Sequence, residues 1–558
     1  MKSLQAADYY VFLVYFIIVA SYGYWVYRKK KKATTTASHD YFLAEGSLTW
    51  WAIGASLIAS NISAEQFIGM SGSGFKMGLA ISTYEWMAAA TLIIVAIFFI
   101  PVYLKNKIYT MPQFLNQRYN STVAMIMAVF WLLLYVIVNL TSILYLGALA
   151  INSISGINIY VCMYVLGFFA IIITLGGMKV IGYTDVVQVF FLILGGLVTT
   201  YLALNLVSEK YGTTGTINGF NLLREHASDH FHMIFTKENS NYLDLPGLSV
   251  LIGGMWIANL NYWGCNQYIT QRALGADLKT ARSGLLFAAF LKLLMPVIVV
   301  LPGIAAFVLN QKGYFSHNEL MDETGNVMAD KSYPSLLNLL PGGLKGLSFA
   351  ALTAAIVASL AGKANSISTI FTLDIYKKKI NPEASEKKMV TIGKVVVIIA
   401  MILAIIIAPH LGIEKGGFKY IQEYSGFVSP GIFAMFILGF FWKKTTSNAA
   451  LFATIGGFIF SVVLKFLPYW LNLSFLSGMG FAIKTDQGIY EIPFLDRMGF
   501  VFLVCVIGMF LISMIENKQG VKPKGLEIDK SMFKLSPAFT VGILIIFGIL
   551  TALYTLFW

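Results

Sequence analysis

Three things are scarce in this chain: charge, cysteine and histidine. Only 12% of its 558 residues are charged, whereas soluble domains carry about 25%. That excludes an ordinary soluble enzyme or multidomain binding protein. The three cysteines, Cys162, Cys265 and Cys505, all sit inside apolar runs, so no disulfide framework is expected. The six histidines lie in connectors or at the end of a run. His226, Asp229, His230 and His232 have loosely metal-like spacing on one loop, but an ordinary polar loop is the stronger reading. Nothing else resembles a hydrolytic or redox constellation, so neither an enzyme nor a cofactor is expected. The longest connectors, 208–245 and 311–345, are too short for a soluble receptor or catalytic domain. There is also no filter loop or continuous polar stripe of the kind a channel needs.

What the chain has in abundance is apolar length. It is 57% hydrophobic with a mean hydropathy of +0.72, and runs of about 20 residues, enough to cross a bilayer as helix, recur throughout. The pattern predicts an all-α membrane protein with about fourteen spans between residues 9 and 557. The first run, Tyr9 to Tyr27, lacks a basic start and a small-residue cleavage site, so a cleavable signal peptide is not expected. The net charge of +13 is unevenly placed. Connectors on one side, including the basic runs 28–32, 377–379, 387–388 and 443–444, carry more than twice the Lys and Arg of the other side. By the positive-inside rule both termini then lie outside. The basic balance orients the chain among membrane lipids and implies no nucleic-acid partner.

Two spans are interrupted in corresponding ways. The run "IASNISAEQFIGMSGSG" (58–74) puts Asn61, Glu65, Gln66 and three glycines at membrane depth, and "GGMWIANLNYWGCNQY" (253–268) does much the same. Each opens a block of five spans, 50–207 and 246–441. Five is odd, so the blocks enter the membrane from opposite sides. Broken helices in oppositely inserted halves point to a secondary transporter with a midplane site. One span and a basic loop (1–49) precede the repeats, and three peripheral spans (442–558) follow. Small residues that let helices pack closely explain "GMSGSG" equally well. They do not explain Asn61, Gln66 and Glu85, since buried carboxylates are costly in a bilayer.

The intramembrane polar set is Asn61, Gln66, Glu85, Asn259, Lys292 and Gln422, with Asp185 and Lys363. Glu85 and Lys292 can neutralise each other while both hydrogen-bond a neutral ligand. Amide side chains both donate and accept, which suits hydroxyls, and nearby Tyr and Trp rings suit the apolar face of a pyranose. This chemistry favours a sugar. Interhelical glue remains the alternative for any one of these residues.

The stretches "GASLIASNISAEQFIGMSGSG", "YEWMAA", "WIANLNYWGCNQYITQR", "FAAFLK", "NSISTIFTLDIY" and "YIQEYSGFVSPGIFAMFILGFFWKKTTS" resemble the solute:sodium symporter family, above all its bacterial sodium/galactose (sodium/glucose-type) cotransporters. The resemblance implies a core of five plus five inverted-repeat helices, alternating access and a bacterial cytoplasmic membrane. It implies sugar coordination by Asn61, Gln66, Glu85, Asn259, Lys292 and Gln422. It further implies an inner gate at Tyr262 and an outer lid of Met70, Tyr84 and Phe418. Sodium, as co-substrate, would sit between the carbonyls of Ala59, Ile62 and Ala355 and the hydroxyl of Ser359.

Two departures stand out. Ala88 follows "YEWM" where the galactose carrier has Ser. Ala358 replaces the first of two serines at the sodium position, and Lys363 occupies a normally apolar place one turn beyond Ser359. Ala355, Ser359 and Lys363 share a helix face, and the Lys363 ammonium is aimed back toward Ser359. The expectation is that Lys363 supplies a built-in cation or proton site with Asp185 as counter-ion. A lysine that snorkels to the inner edge is the alternative, and a uniporter of the same fold is the rival function.

Overall fold

The computed structural model describes residues 6–28, 48–315, 317–321, 325–410 and 417–558. Most of the basic run at 28–32 and His39 therefore lie outside the described residues. The described chain is almost wholly helical, with one two-stranded hairpin pairing Ile483 and Lys484 with Glu491 and Tyr490 in an outer connector. Nine helical stretches among the described residues are long and apolar enough to cross a bilayer, or ten if one bent pair counts as a single span. This count does not confirm the figure of about fourteen spans expected from the sequence.

Helix α1 (Ala6–Arg28) lies beside the core. The first expected break is real. Helix α2 (Trp50–Asn61) stops at Ile62, which is extended at φ −80°, ψ 110°. The chain resumes as a π-helical turn, Glu65–Met70, and continues as α3 (Ser71–Met77). Gly78, at φ +72°, then turns it back into α4 (Thr83–Ile94). Next come α5 (Thr141–Ser155), α6 (Ile159–Thr174) and α7 (Gly177–Lys210). The second interrupted stretch has a break at Gly253, helix α8 (Gly254–Gly264), and another break at Cys265 and Asn266 before the helix Gln267–Leu274.

Helix α9 (Leu278–Gln311) starts cleanly because Asp277 accepts from the amides of Lys279 and Thr280, a strong N-cap. It is followed by α10 (Leu344–Thr369) and α11 (Glu386–Ile407). Helices α12 (Gly417–Gly426) and α13 (Ser429–Phe441) meet at a 50° bend, and Pro430 opens the second of them. Helices α14 (Phe494–Lys518) and α15 (Pro537–Leu556) stand at the periphery.

What positions the site is α9, which runs as a splint along both halves of the broken helix. Below the break Gly284 lies against α2, where a Cβ would come within 2.7 Å of Ile53. Above it Gly303 meets α3, where a Cβ would lie 2.1 Å from the Ser71 carbonyl oxygen. Between these two contacts stands Lys292, level with Asn61. In lipid no water drives helices together, so close approach through small residues carries much of the association. Pro296 inside α9 has no N–H for the Lys292 carbonyl four residues earlier, which loosens the helix beside the site.

Gly303→Val should therefore push α3 off α9 and cost about 1–3 kcal/mol, the usual range for overpacking. The check is the thermal midpoint of the detergent-purified protein. Gly499→Ala, in open space, should leave it unchanged.

Candidate substrate cavity

The break must satisfy its own backbone, and four residues do so. In an unbroken helix the Ser63 amide would bond the Ala59 carbonyl. Here it donates to Gln66 Oε1 at 3.0 Å. In return Ser63 Oγ accepts from the Glu65 amide at 3.1 Å. The Gln66 bond is one half of an S-x-x-Q capping box placed in the middle of a span, with the serine hydroxyl turned to the amide two residues on instead of three. The Ala59 carbonyl thereby loses its helical donor, at the position where the resemblance puts a sodium ligand. Facing it, Ser359 Oγ of α10 donates to the Ser60 carbonyl at 3.2 Å.

Beside the break lies a cavity of about 80 Å³, several times the roughly 10–15 Å³ that one water needs. All six residues of the expected sugar set line it, with Tyr84, Tyr262, Phe418 and Lys363. One wall is a continuous polar chain. Lys292 Nζ donates to Glu85 Oε2 and to Asn61 Oδ1, and Asn61 Nδ2 donates to the Tyr262 hydroxyl at 3.0 Å. The Lys292 ammonium also stands 5.2 Å from the Trp263 ring centroid, in cation–π range. On the outer side Tyr84 meets Phe418 edge to face at 5.0 Å between centroids. Gly69 admits the Phe418 backbone and Cβ, which a Cβ there would crowd at 2.9 Å.

The lining also holds a pairing that the sequence reading did not make. Lys363 Nζ lies 3.5 Å from Glu65 Oε1 and donates to Asn139 Oδ1 at 3.1 Å. Asn139 belongs to the π-helical stretch Leu134–Leu140. Its burial in an apolar span was the available signal for it, as the S-x-x-Q spacing was for Glu65. Asn261, Asn266, Ser425 and Ser429 also line the cavity.

One expectation is corrected. Asp185 does not face Lys363. It accepts from Ser56 Oγ at 2.6 Å and lies 3.8 Å from Arg272 Nη2, on the side of α2 before the break. Ser359 and Lys363 are one turn apart, but the lysine reaches past the break toward Glu65, so its counter-ion is the carboxylate of the π turn. Met70 is fully buried and is not among the cavity-lining residues. Ala59, Ile62 and Ala355 are buried around the break. On the outer loop His230 bonds the Phe75 carbonyl at 3.0 Å and stacks on Phe307. No cluster of three or more His, Cys, Asp or Glu side chains placed to hold a metal occurs among the described residues.

The cavity thus carries two carboxylates and two ammonium groups, each paired across it. A neutral ligand leaves that balance intact, while a charged one would add an uncompensated charge away from water. Polar donors and acceptors backed by aromatic rings at a broken helix are the features expected of a membrane carrier.

The comparisons agree with that class. Residues 41–457 match the Sodium:solute symporter family, and the chain belongs to that family. Over its full length it is 46% identical to the "Sodium/glucose cotransporter" of Vibrio parahaemolyticus, covering 99% of that protein. It is 33% identical to the human "Sodium/myo-inositol cotransporter 2", over 84% of this chain and 71% of that one. Among solved structures, a Na+-coupled sialic acid symporter in a substrate-bound outward-open state shares the fold, with a TM-score of 0.76 at 22% identity over 94% of this chain and all of that one. The family and these relatives are transporters, not enzymes.

The outer wall is anchored by a connector carboxylate. Asp330 Oδ2 accepts from the Gly417 amide at the start of α12 at 2.9 Å, and its other oxygen lies against Gly72 of α3. Burial pushes the Asp330 carboxyl up to about 7, and the Gly417 amide only partly offsets this. Between about pH 4 and 7 the folded protein holds a proton that the unfolded chain has lost, so stability falls as pH rises through that window. Asp330→Asn, which keeps an acceptor for Gly417, should flatten this fall. Its thermal midpoint relative to wild type should be higher at pH 8 than at pH 5.

Proposed function

We propose that the protein is a secondary active transporter that imports a galactose- or glucose-like sugar by sodium-coupled alternating access across the bacterial cytoplasmic membrane. The observation that carries this reading is the enclosed cavity beside the broken helix. There Glu85, Lys292, Asn61, Gln66, Asn259 and Gln422 converge with Tyr and Trp rings. The names of the glucose and myo-inositol relatives support a polyhydroxylated, uncharged substrate. Ala88 in the lining removes one hydroxyl contact and bears on which sugar is preferred.

In this reading sodium binds among the carbonyls of Ala59, Ile62 and Ala355 and the Ser359 hydroxyl, and so steadies the break in the sugar-competent state. Sugar is then held between Tyr262 on the inner side and Tyr84 and Phe418 on the outer side, with Met70 packed behind them. The five-span blocks 50–207 and 246–441 rock against each other around this site. Loss of the cation inward weakens sugar binding by the same linkage. One positive charge moving inward contributes about 2.3 kcal/mol per 100 mV, before any sodium gradient is counted.

A specific contact favours a second reading. Lys363 reaches across the break to Glu65, while Ser359 on the same face holds Ser60. Helix α10 therefore clasps both sides of the break with no added ion. The tethered ammonium then does part of the work of sodium, and sugar transport is proton-coupled or uncoupled.

Two measurements of radiolabelled galactose and glucose binding to purified protein separate these readings. Glu85→Ala or Gln422→Ala should each weaken binding at least about tenfold, as expected where a buried polar partner is removed. Unchanged affinity in both would remove the proposed site. Replacing choline by sodium should tighten wild-type binding under the first reading. Under the second it should change nothing in wild type, and a sodium requirement should appear in Lys363→Met.

A further inference from the structure

Away from the substrate cavity, a groove of about 460 Å³ lies between the first turns of α9 and the start of α15. Three cations line it, namely Lys279, Arg282 and Lys534, together with Ser536 and the apolar side chains of Leu286 and Phe539. Arg282 is buried, with 9% of its surface exposed. Its donors go only to carbonyls: Nε to Ala96 at 3.1 Å, Nη1 to Lys534 at 2.9 Å and Nη2 to Met532 at 2.8 Å. No carboxylate among the described residues lies within 4.0 Å of this guanidinium.

The acidic groups nearest in sequence are engaged elsewhere. Asp277 caps α9 and accepts from the Thr280 hydroxyl. Asp529 holds the amide and hydroxyl of Ser531, and the charges of Lys105 and Lys534 add a weaker pull on it. Burial of a cation without a counter-ion is costly. Here that charge sits beside two exposed lysines on the wall of an open groove, so the groove is electrostatically set for an anion.

The surroundings say which anion. Each span reverses the chain, so residues 278–282 and 534–538 lie at the end of the molecule that carries the basic runs 377–379, 387–388 and 443–444. By the positive-inside rule that end faces the cytoplasm. The groove opens onto bilayer-facing apolar surface. One turn beyond Leu286 stands Phe290, 51% exposed, and two turns beyond Ala538 stands Ile545, 53% exposed. Leu286 itself packs against Gly542 of α15. A charged pole at the interface, continued by an apolar seam, matches a molecule with a phosphate head and acyl chains. Basic pockets between helices on the cytoplasmic side bind such headgroups elsewhere.

We propose that this groove binds an anionic phospholipid of the inner leaflet. Its phosphate sits among Lys279, Arg282 and Lys534, and its chains lie along the Leu286–Phe290 and Ala538–Ile545 seam. The lipid would neutralise Arg282 and fasten peripheral α15 to α9, the helix that carries Lys292.

Native mass spectrometry of the full-length purified protein, titrated with phosphatidylglycerol or phosphatidylethanolamine, tests this. Phosphatidylglycerol should bind about tenfold more tightly, and Lys279→Ala with Lys534→Ala should remove that preference. Both side chains are exposed, so the double variant should keep the wild-type elution profile, and Lys443→Ala with Lys444→Ala should keep the preference. Equal binding of the two lipids, or an unchanged preference in the Lys279/Lys534 variant, would overturn the site. An equal loss in the Lys443/Lys444 variant would reduce it to general surface attraction and overturn it as well. Displacement by glycerol phosphate alone would assign the groove to a soluble phosphate compound and overturn the lipid.

Discussion

Everything in this structure follows from one constraint: a helix is broken where no water can repair it. Between Asn61 and Glu65 the backbone leaves its ladder, and in a bilayer each stranded amide or carbonyl costs several kcal/mol. The chain answers locally with two side chains, Gln66 accepting from the Ser63 amide and Ser63 accepting from the Glu65 amide. It answers globally with α9, which grips both halves through glycine contacts, and with α10, which reaches the break through Ser359 and Lys363. The carbonyls that the capping box leaves without a helical donor are the groups a desolvated cation can use.

The same economy governs charge. Glu85 with Lys292 and Glu65 with Lys363 place two acidic and two basic side chains in matched pairs around one small cavity. Neither pair stands alone, since Asn61 joins the first and Asn139 the second. Breaking such a pair leaves a buried charge, which is far more costly than never having placed it there. The outer closure is softer, made of the Tyr84–Phe418 ring contact and the hold of Asp330 on α12.

How far the sequence alone carried the account depends on the kind of question. Both helix breaks, the cavity residues and the α10 face were legible, because apolar length, interrupted polarity and helical spacing are local properties. The partner of Lys363 was not. Spacing along α10 puts Ser359 and Lys363 on one face, yet it says nothing about which residue of α2 or the π turn lies opposite. Asp185 was a reasonable carboxylate by depth but stands on the other side of the break with Arg272. Glu65 was noted at membrane depth beside Gln66 but not matched to Lys363, because spacing alone does not show which residues meet across two helices. Asn139 needed tertiary structure, because one amide in an apolar span can face any neighbour.

The most direct test of the account is galactose and glucose uptake into proteoliposomes, with sodium, proton and voltage gradients imposed one at a time. A cation-coupled sugar carrier predicts accumulation above the outside concentration when a driving gradient is present, and equilibration alone without it. Absence of sugar movement under every gradient, by protein shown to be folded and inserted, would contradict the account.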